Sequence, residues 1–195
     1  MPPPPPIPQK ESDRTPVTIK VLLVLLTLCG VTLGICLACG TGRTFSIQSG
    51  SMAPALERGD YVLVTRLGGK YRRGDIVVFN APGMRDPKKN EVFVKRIVGL
   101  PGETLRIIDG ALNINGVRTP LYNRTGEINY IFIPTAMFPM RADNVYTVSN
   151  GSYFLLGDNS PHSYDSRHFG YVSADAILGR VIACYAPWNR AGAVQ

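Results

Sequence analysis

Thr104-Leu105-Arg106-Ile107-Ile108-Asp109-Gly110-Ala111-Leu112-Asn113-Ile114-Asn115-Gly116 decides the fold of the chain. Two short runs rich in strand-forming residues meet across Asp109-Gly110, a strong hairpin signal because both turn positions of a type I′ turn require positive φ. Asn115-Gly116 marks a second tight turn and Asn150-Gly151 a third, the latter expected to join residues 145–149 to 152–156. Outward from the hairpin the texture stays the same from Thr44 onward: short alternating or apolar runs broken by turns, with no sustained period of 3.6. Candidate strands are 44–48, 61–66, 75–80 and 91–98 upstream, and 177–185 downstream after a short helical turn that Ser173 is placed to cap. The expectation is an all-β body of antiparallel sheet over residues 41–195, in which 102–151 is a small β region inserted between two pieces of one core.

At 195 residues and 45% hydrophobic, the chain suits one domain, or two small ones, with a real core. Its formal charge of +7 would suit a nucleic-acid partner, yet no basic run is interleaved with aromatic residues. No nucleic acid is therefore expected, and anionic lipid explains the charge equally well. Of the four cysteines, Cys29, Cys36 and Cys39 share one apolar stretch and Cys184 stands alone, which is no disulfide framework. With two histidines and no paired soluble cysteines, no metal site is expected.

Residues 21–39 carry no charge, and 19 residues at 1.5 Å each span about 28 Å, matching a bilayer core. A transmembrane anchor helix over 19–40 is expected, preceded by a disordered cytoplasmic tail over 1–18 that opens with five consecutive prolines. Lys10, Arg14 and Lys20 precede the span and Arg43 stands alone after it, so the amino terminus should stay in the cytoplasm. The body would then lie on the outer face of a bacterial cytoplasmic membrane. Two cleavage alternatives compete: a secretory signal, for which Leu37-Ala38-Cys39-Gly40 supplies a partial exit site, and a lipoprotein signal using Cys39. A mitochondrial targeting sequence fits poorly, because Glu11 and Asp13 interrupt the basic residues. Within the inserted region, Tyr130-Ile131-Phe132-Ile133-Pro134 with Met137, Phe138 and Met140 reads either as core packing or as a segment dipping into the bilayer surface.

Chemistry centres on Ser49-Gly50-Ser51-Met52-Ala53-Pro54. On extended backbone Ser49 and Ser51 share a side, Gly50 lets a substrate main chain approach, and Pro54 stops regular pairing just beyond. A serine nucleophile needs a base, and two are on offer. His162 and His168 lie near Asp158 and Asp165, which suits a Ser-His-Asp triad. Lys95 shares a strand face with Phe93 and Ile97, so burial there would lower its pKa and free a neutral amine. The bland reading of Lys95 is a snorkelling side chain at a sheet edge.

SGSMAPAL at 49–56, RRGDIVVF at 72–79, VKRIVGLPGE at 94–103 and GDNSPHSYDSRHFG at 157–170 resemble, in order, the sequence boxes of type I signal peptidases. The resemblance covers most of the body. It implies a signal-peptidase-like β fold and a serine-lysine dyad in which Ser51 is the nucleophile and Lys95 the general base. It implies further that the Ser49 hydroxyl and the Ser51 backbone N–H form the oxyanion hole, and that Ser163 orients the lysine. Asp165 and Arg167 match a structural ion pair beside the site. Phe45, Ile47, Met52, Leu56 and Val94 match substrate-pocket positions that favour small residues before the scissile bond. No cofactor is implied. Gln48 stands where proline is usual, Ala55 where threonine is usual, and Ser160-Pro161-His162 replaces a common Arg-Asp-Asn run.

The expected function is a membrane-bound serine endopeptidase that removes signal peptides from exported preproteins. Preproteins and membrane lipid are the expected partners, with the protein-export machinery as a further one. The alternatives are a specialised processing peptidase for one secretion or conjugation substrate, and an inactive β-domain that binds preproteins. A self-cleaving repressor shares such a dyad, but the spanning helix and the lack of a DNA-binding region argue against it.

Overall fold

A computed structural model of the chain describes residues 16–38, 42–66, 70–81, 91–131 and 145–194. Residues 1–15 of the expected tail, the cleavage position at Cys39 and the apolar residues 132–140 lie outside the described residues. The chain divides into two units, residues 1–40 and residues 41–195.

In the first unit, α1 (Val17–Ala38) runs for 22 residues, about 33 Å at 1.5 Å per residue. It starts directly after Pro16, whose carbonyl accepts from Ile19 N and Lys20 N. Proline fits there because the first helical turn needs few N–H donors. Val17–Gly34 is long and apolar enough to cross a bilayer. Two of its threonine hydroxyls find acceptors inside the helix, Thr27 on Val24 O at 2.8 Å and Thr32 on Cys29 O at 2.9 Å, so neither of these leaves an unmet donor for lipid.

The second unit is mostly antiparallel sheet. Its strands in chain order are β1 (Gly42–Ser46), β2 (Tyr61–Thr65), β3 (Ile76–Asn80), β4 (Val92–Gly99), β5 (Thr104–Ile108), β6 (Ala111–Ile114), β7 (Val117–Arg118), β8 (Tyr122–Asn123) and β9 (Gly126–Glu127). They continue with β10 (Tyr146–Thr147), β11 (Ser152–Leu156), β12 (Val172–Ser173), β13 (Ile177–Ala186) and β14 (Gly192–Ala193), and a four-residue helix, α2 (Ser166–Phe169), precedes β12. The larger sheet runs β1-β2-β13-β3-β4-β11-β12, with β14 added on β13. A second sheet runs β10-β5-β6-β7, and β8 pairs β9.

The Asp109-Gly110 hairpin forms as its turn chemistry requires: φ is 49° and 78° at the two positions, and Ile108 pairs Ala111 across them. Asn115 and Gly116 repeat this between β6 and β7, with φ of 51° and 82°. Asn150-Gly151 differs from expectation. Its flanks do not pair with each other, since β10 joins β5 in the second sheet while β11 joins β4 in the first, so the turn carries the chain from one sheet to the other. Ser173 does accept from Asp175 N at 3.3 Å, capping the turn Ala174–Ala176.

Parity along β4 sorts three cores. Phe93 and Ile97 pack with Val77, Phe79, Leu155 and Ile177, whereas Val94 packs with Met52, Val62, Val78 and Val181. Val98 leads into the third core, where Leu105, Leu112, Ile114 and Tyr130 of the second sheet region meet Phe154 and Leu156 of β11. The two sheets therefore share a core at β4 and β11, the strands that carry the residues discussed next.

Candidate active site

Beyond β1 the backbone stays tied to the start of β2 for one more pair, Ile47 N to Asp60 O at 2.8 Å and Gly59 N to Ile47 O at 2.9 Å. It then breaks into turns, with Ala53 N on Gly50 O and Leu56 N on Met52 O. Ser51 sits at that break and is nearly buried, 7% exposed. The loop after β11 holds it from the other side: Asn159 N donates to Ser51 O at 3.1 Å, and Asn159 Nδ2 donates to Gly50 O at 3.0 Å.

Lys95, in the middle of β4, is 4% exposed and its Nζ stands 2.6 Å from Ser51 Oγ. The amine also lies 5.6 Å over the Phe93 ring, its neighbour on the same strand face. Burial is the largest influence on this amine and lowers its pKa from 10.5 to about 8; Asp165 and Asp158 pull it back up, and Arg167 pushes it further down. A neutral amine at hydrogen-bond distance can accept the serine proton. Ser49 Oγ lies 3.2 Å from Ser51 Oγ, on the same side of the backbone.

Arg96 faces the opposite way from Lys95 and makes a two-pronged bond to Asp158, Nε to Oδ1 at 2.8 Å and Nη2 to Oδ2 at 2.7 Å. Consecutive residues of β4 thus reach both the nucleophile segment and the loop after β11. That loop is organised by Asp165 and Arg167. Arg167 sends Nε and Nη2 to Asp165, Nη2 also to Ser160 O, and Nη1 to Ser160 Oγ and Ile131 O. All five guanidinium donors are used, which is what a charge this buried needs. Asp165 in turn caps α2 by accepting Arg167 N, and accepts Gly157 N at 3.0 Å. Ser160 thereby has both its hydroxyl and its carbonyl bonded.

Ser163 Oγ is buried and has no hydrogen-bond partner among the described residues, so the structure gives it no direct bond to Lys95. Instead it packs against Gly157, where an added Cβ would fall 2.2 Å from Ser163 Oγ and 2.5 Å from Ser51 O. The two imidazoles are engaged by other partners. His162 Nδ1 meets Asn159 Oδ1 at 3.2 Å, and His168 stacks on Tyr164 with ring centroids 5.0 Å apart. Burial lowers the His168 pKa below its ordinary value.

A cleft of about 410 Å³ opens over the serine and the lysine. Ile47, Met52 and Val94 line it, together with Gln48 and Ser49. Leu56 is 0% exposed in the core beneath, and Phe45 packs on the same core without lining the cleft. Val92, Phe93, Asn159, His162 and Tyr164 line it as well, beyond the pocket positions expected from sequence. Phe93 was within reach, since strand parity sets it beside Lys95. Tyr164 was not, because its position depends on the fold of a loop.

The family described as signal peptidase, peptidase S26, matches residues 18–188. A signal peptidase I from Leptolyngbya laminosa is 40% identical over 152 residues, covering 75% of this chain and 70% of that protein. A signal peptidase I from Bacillus caldolyticus is 35% identical over 152 residues, covering 75% of this chain and 80% of that protein. A crystal structure of a signal peptidase I from Enterococcus faecalis V583 is 34% identical, with a TM-score of 0.43 over 57% of this chain and 96% of that one.

Proposed function

The chain belongs to the signal peptidases of peptidase family S26, serine endopeptidases that act on signal peptides, and from that premise we propose that Ser51 and Lys95 carry out the cleavage. The observation behind this reading is the 2.6 Å separation of Lys95 Nζ and Ser51 Oγ in a buried setting. Neutral Lys95 takes the Ser51 proton as Oγ attacks the scissile carbonyl carbon. The Ser49 hydroxyl and the Ser51 N–H stabilise the resulting oxyanion, a contribution of several kcal/mol in such sites. The Lys95 ammonium then gives its proton to the leaving amine, and an acyl-serine remains. Water attacks the ester, Lys95 receives the water proton, and Ser51 recovers it as the signal peptide departs.

Substrates enter as extended chain in the cleft beside β4, and Ile47, Met52 and Val94 favour small side chains before the scissile bond by excluding bulk. The anchor helix tethers the body to the outer face of the cytoplasmic membrane, where preproteins leave the export machinery. The test is processing of one preprotein by the full chain in detergent. Ser51→Ala and Lys95→Met should each lower kcat by about 10³-fold or more, while the His162→Ala, His168→Ala pair keeps most of it. Loss of activity in the histidine pair with survival in Lys95→Met would overturn the assignment.

A further inference from the structure

Arg190 lies beyond β13 in the single turn Trp188–Arg190, two residues past the end of the family match. Its guanidinium is bound to one short segment by four hydrogen bonds. Nε donates to Asp60 Oδ1 at 2.8 Å and Nη2 to Asp60 Oδ2 at 3.0 Å; Nη1 donates to Glu57 Oε1 at 2.9 Å, and Nη2 also reaches the Pro54 carbonyl at 3.3 Å. All of these acceptors belong to residues 54–60, the run of turns between Ser51 and β2. Turns lack the ladder that holds a strand in place, so a segment of this kind keeps its shape through side-chain ties.

The acceptor side is built for that tie. Asp60 is 1% exposed, and its Oδ2 also accepts Glu57 N at 2.9 Å, closing the turn on itself. Its carbonyl accepts Ile47 N, which fixes the chain just before Ser49 and Ser51. One carboxylate residue therefore joins the entry to the nucleophile segment, the exit from it, and a guanidinium 130 positions away.

We propose that Arg190 is a positioning residue for Ser51: it braces residues 54–60 and so keeps the serine hydroxyl in line with the Lys95 amine. The proposal rests on the reading of Ser51 as nucleophile. A hydroxyl displaced by about 1 Å from its base can lose about 10²-fold in rate, whereas the cleft wall at Val94 is held independently by the pairing of β4 with β3. Loss of the brace should accordingly act on kcat and spare KM.

The experiment compares full-length Arg190→Gln, Arg190→Lys and wild type on one preprotein in detergent, with rates expressed per active site by titration with a serine-acylating probe. Arg190→Gln should lower kcat about tenfold or more with KM within about twofold, and Arg190→Lys, which keeps the charge and part of the bonding, should fall between them. Should the glutamine variant not fold, the lysine variant carries the same test through its own fall in kcat. A kcat within twofold of wild type below the Tm, or a rise in KM alone, would overturn the brace. Ser51→Ala runs alongside: if it stays active the nucleophile assignment fails, and if it is dead while Arg190→Gln is normal only the brace fails.

Discussion

Lys95 is nearly removed from water, 4% exposed with an aromatic ring beside it, and that burial holds its pKa near 8 instead of 10.5. Two opposite consequences follow from one displacement. For catalysis, the fraction of neutral amine falls about tenfold per pH unit below 8, so kcat/KM should rise about a hundredfold from pH 6 to a plateau above pH 8. A midpoint near the ordinary histidine value, seen in initial rates on a preprotein, would contradict Lys95 as base. For stability, the unfolded chain holds a proton on this group between pH 8 and 10.5 that the native chain does not, so its cost to the fold is full below 8 and fades as pH rises to 10.5. Lys95→Met should therefore be more stable than wild type at pH 6 by up to about 3 kcal/mol, with the gap closing by pH 10, as read from Tm at the two pH values. An inactive variant that gains nothing at pH 6 would mean the amine is better solvated than its burial implies.

At the scale of elements, β4 and the end of β11 set the site, and they differ in how much of their role shows in sequence. β4 alternates, so the opposite facing of Lys95 and Arg96 is legible from parity alone. The hairpins at Asp109-Gly110 and Asn115-Gly116 are legible for a similar reason, because positive φ at both turn positions leaves few residue choices. The loop after β11 has no such period. Its shape comes from Asp165 capping α2 and from Arg167 reaching Ile131 O, a contact across 36 positions that no local pattern encodes. The same holds for Arg190 and Asp60, and for the place of Tyr164 in the cleft. Gly157 packs close to the nucleophile segment, and an alanine there would press its methyl on both Ser51 O and Ser163 Oγ. Because Ser51 O is backbone, relief requires the loop and the nucleophile segment to part. Gly157→Ala should thus lower kcat/KM about tenfold or more while retaining a native β circular dichroism spectrum, and near-normal kinetics would show that the loop is free to move aside.

At the scale of the whole molecule, the chain combines one apolar helix with a β body that carries the proposed site, and flanking charge predicts which side of the membrane each end occupies. Charge settles expectation here: Lys10, Arg14 and Lys20 precede the helix, and Arg43 alone follows closely. Basic residues are retained on the cytoplasmic side during insertion, and one flanking arginine does not outweigh three cations. The body should therefore lie outside, where preproteins emerge. Variants with one added cysteine tell the two ends apart. Ser12→Cys lies in the amino-terminal segment, and Thr125→Cys lies at the exposed tip between β8 and β9, far in sequence from Ser51 and Lys95. In intact spheroplasts a membrane-impermeant maleimide should label Thr125→Cys within minutes and Ser12→Cys only after lysis, measured against the parent chain, whose Cys184 is buried. The reverse pattern would put the body in the cytoplasm, where signal peptides have yet to cross, and would leave a peptidase with its substrates' cleavage sites on the wrong side.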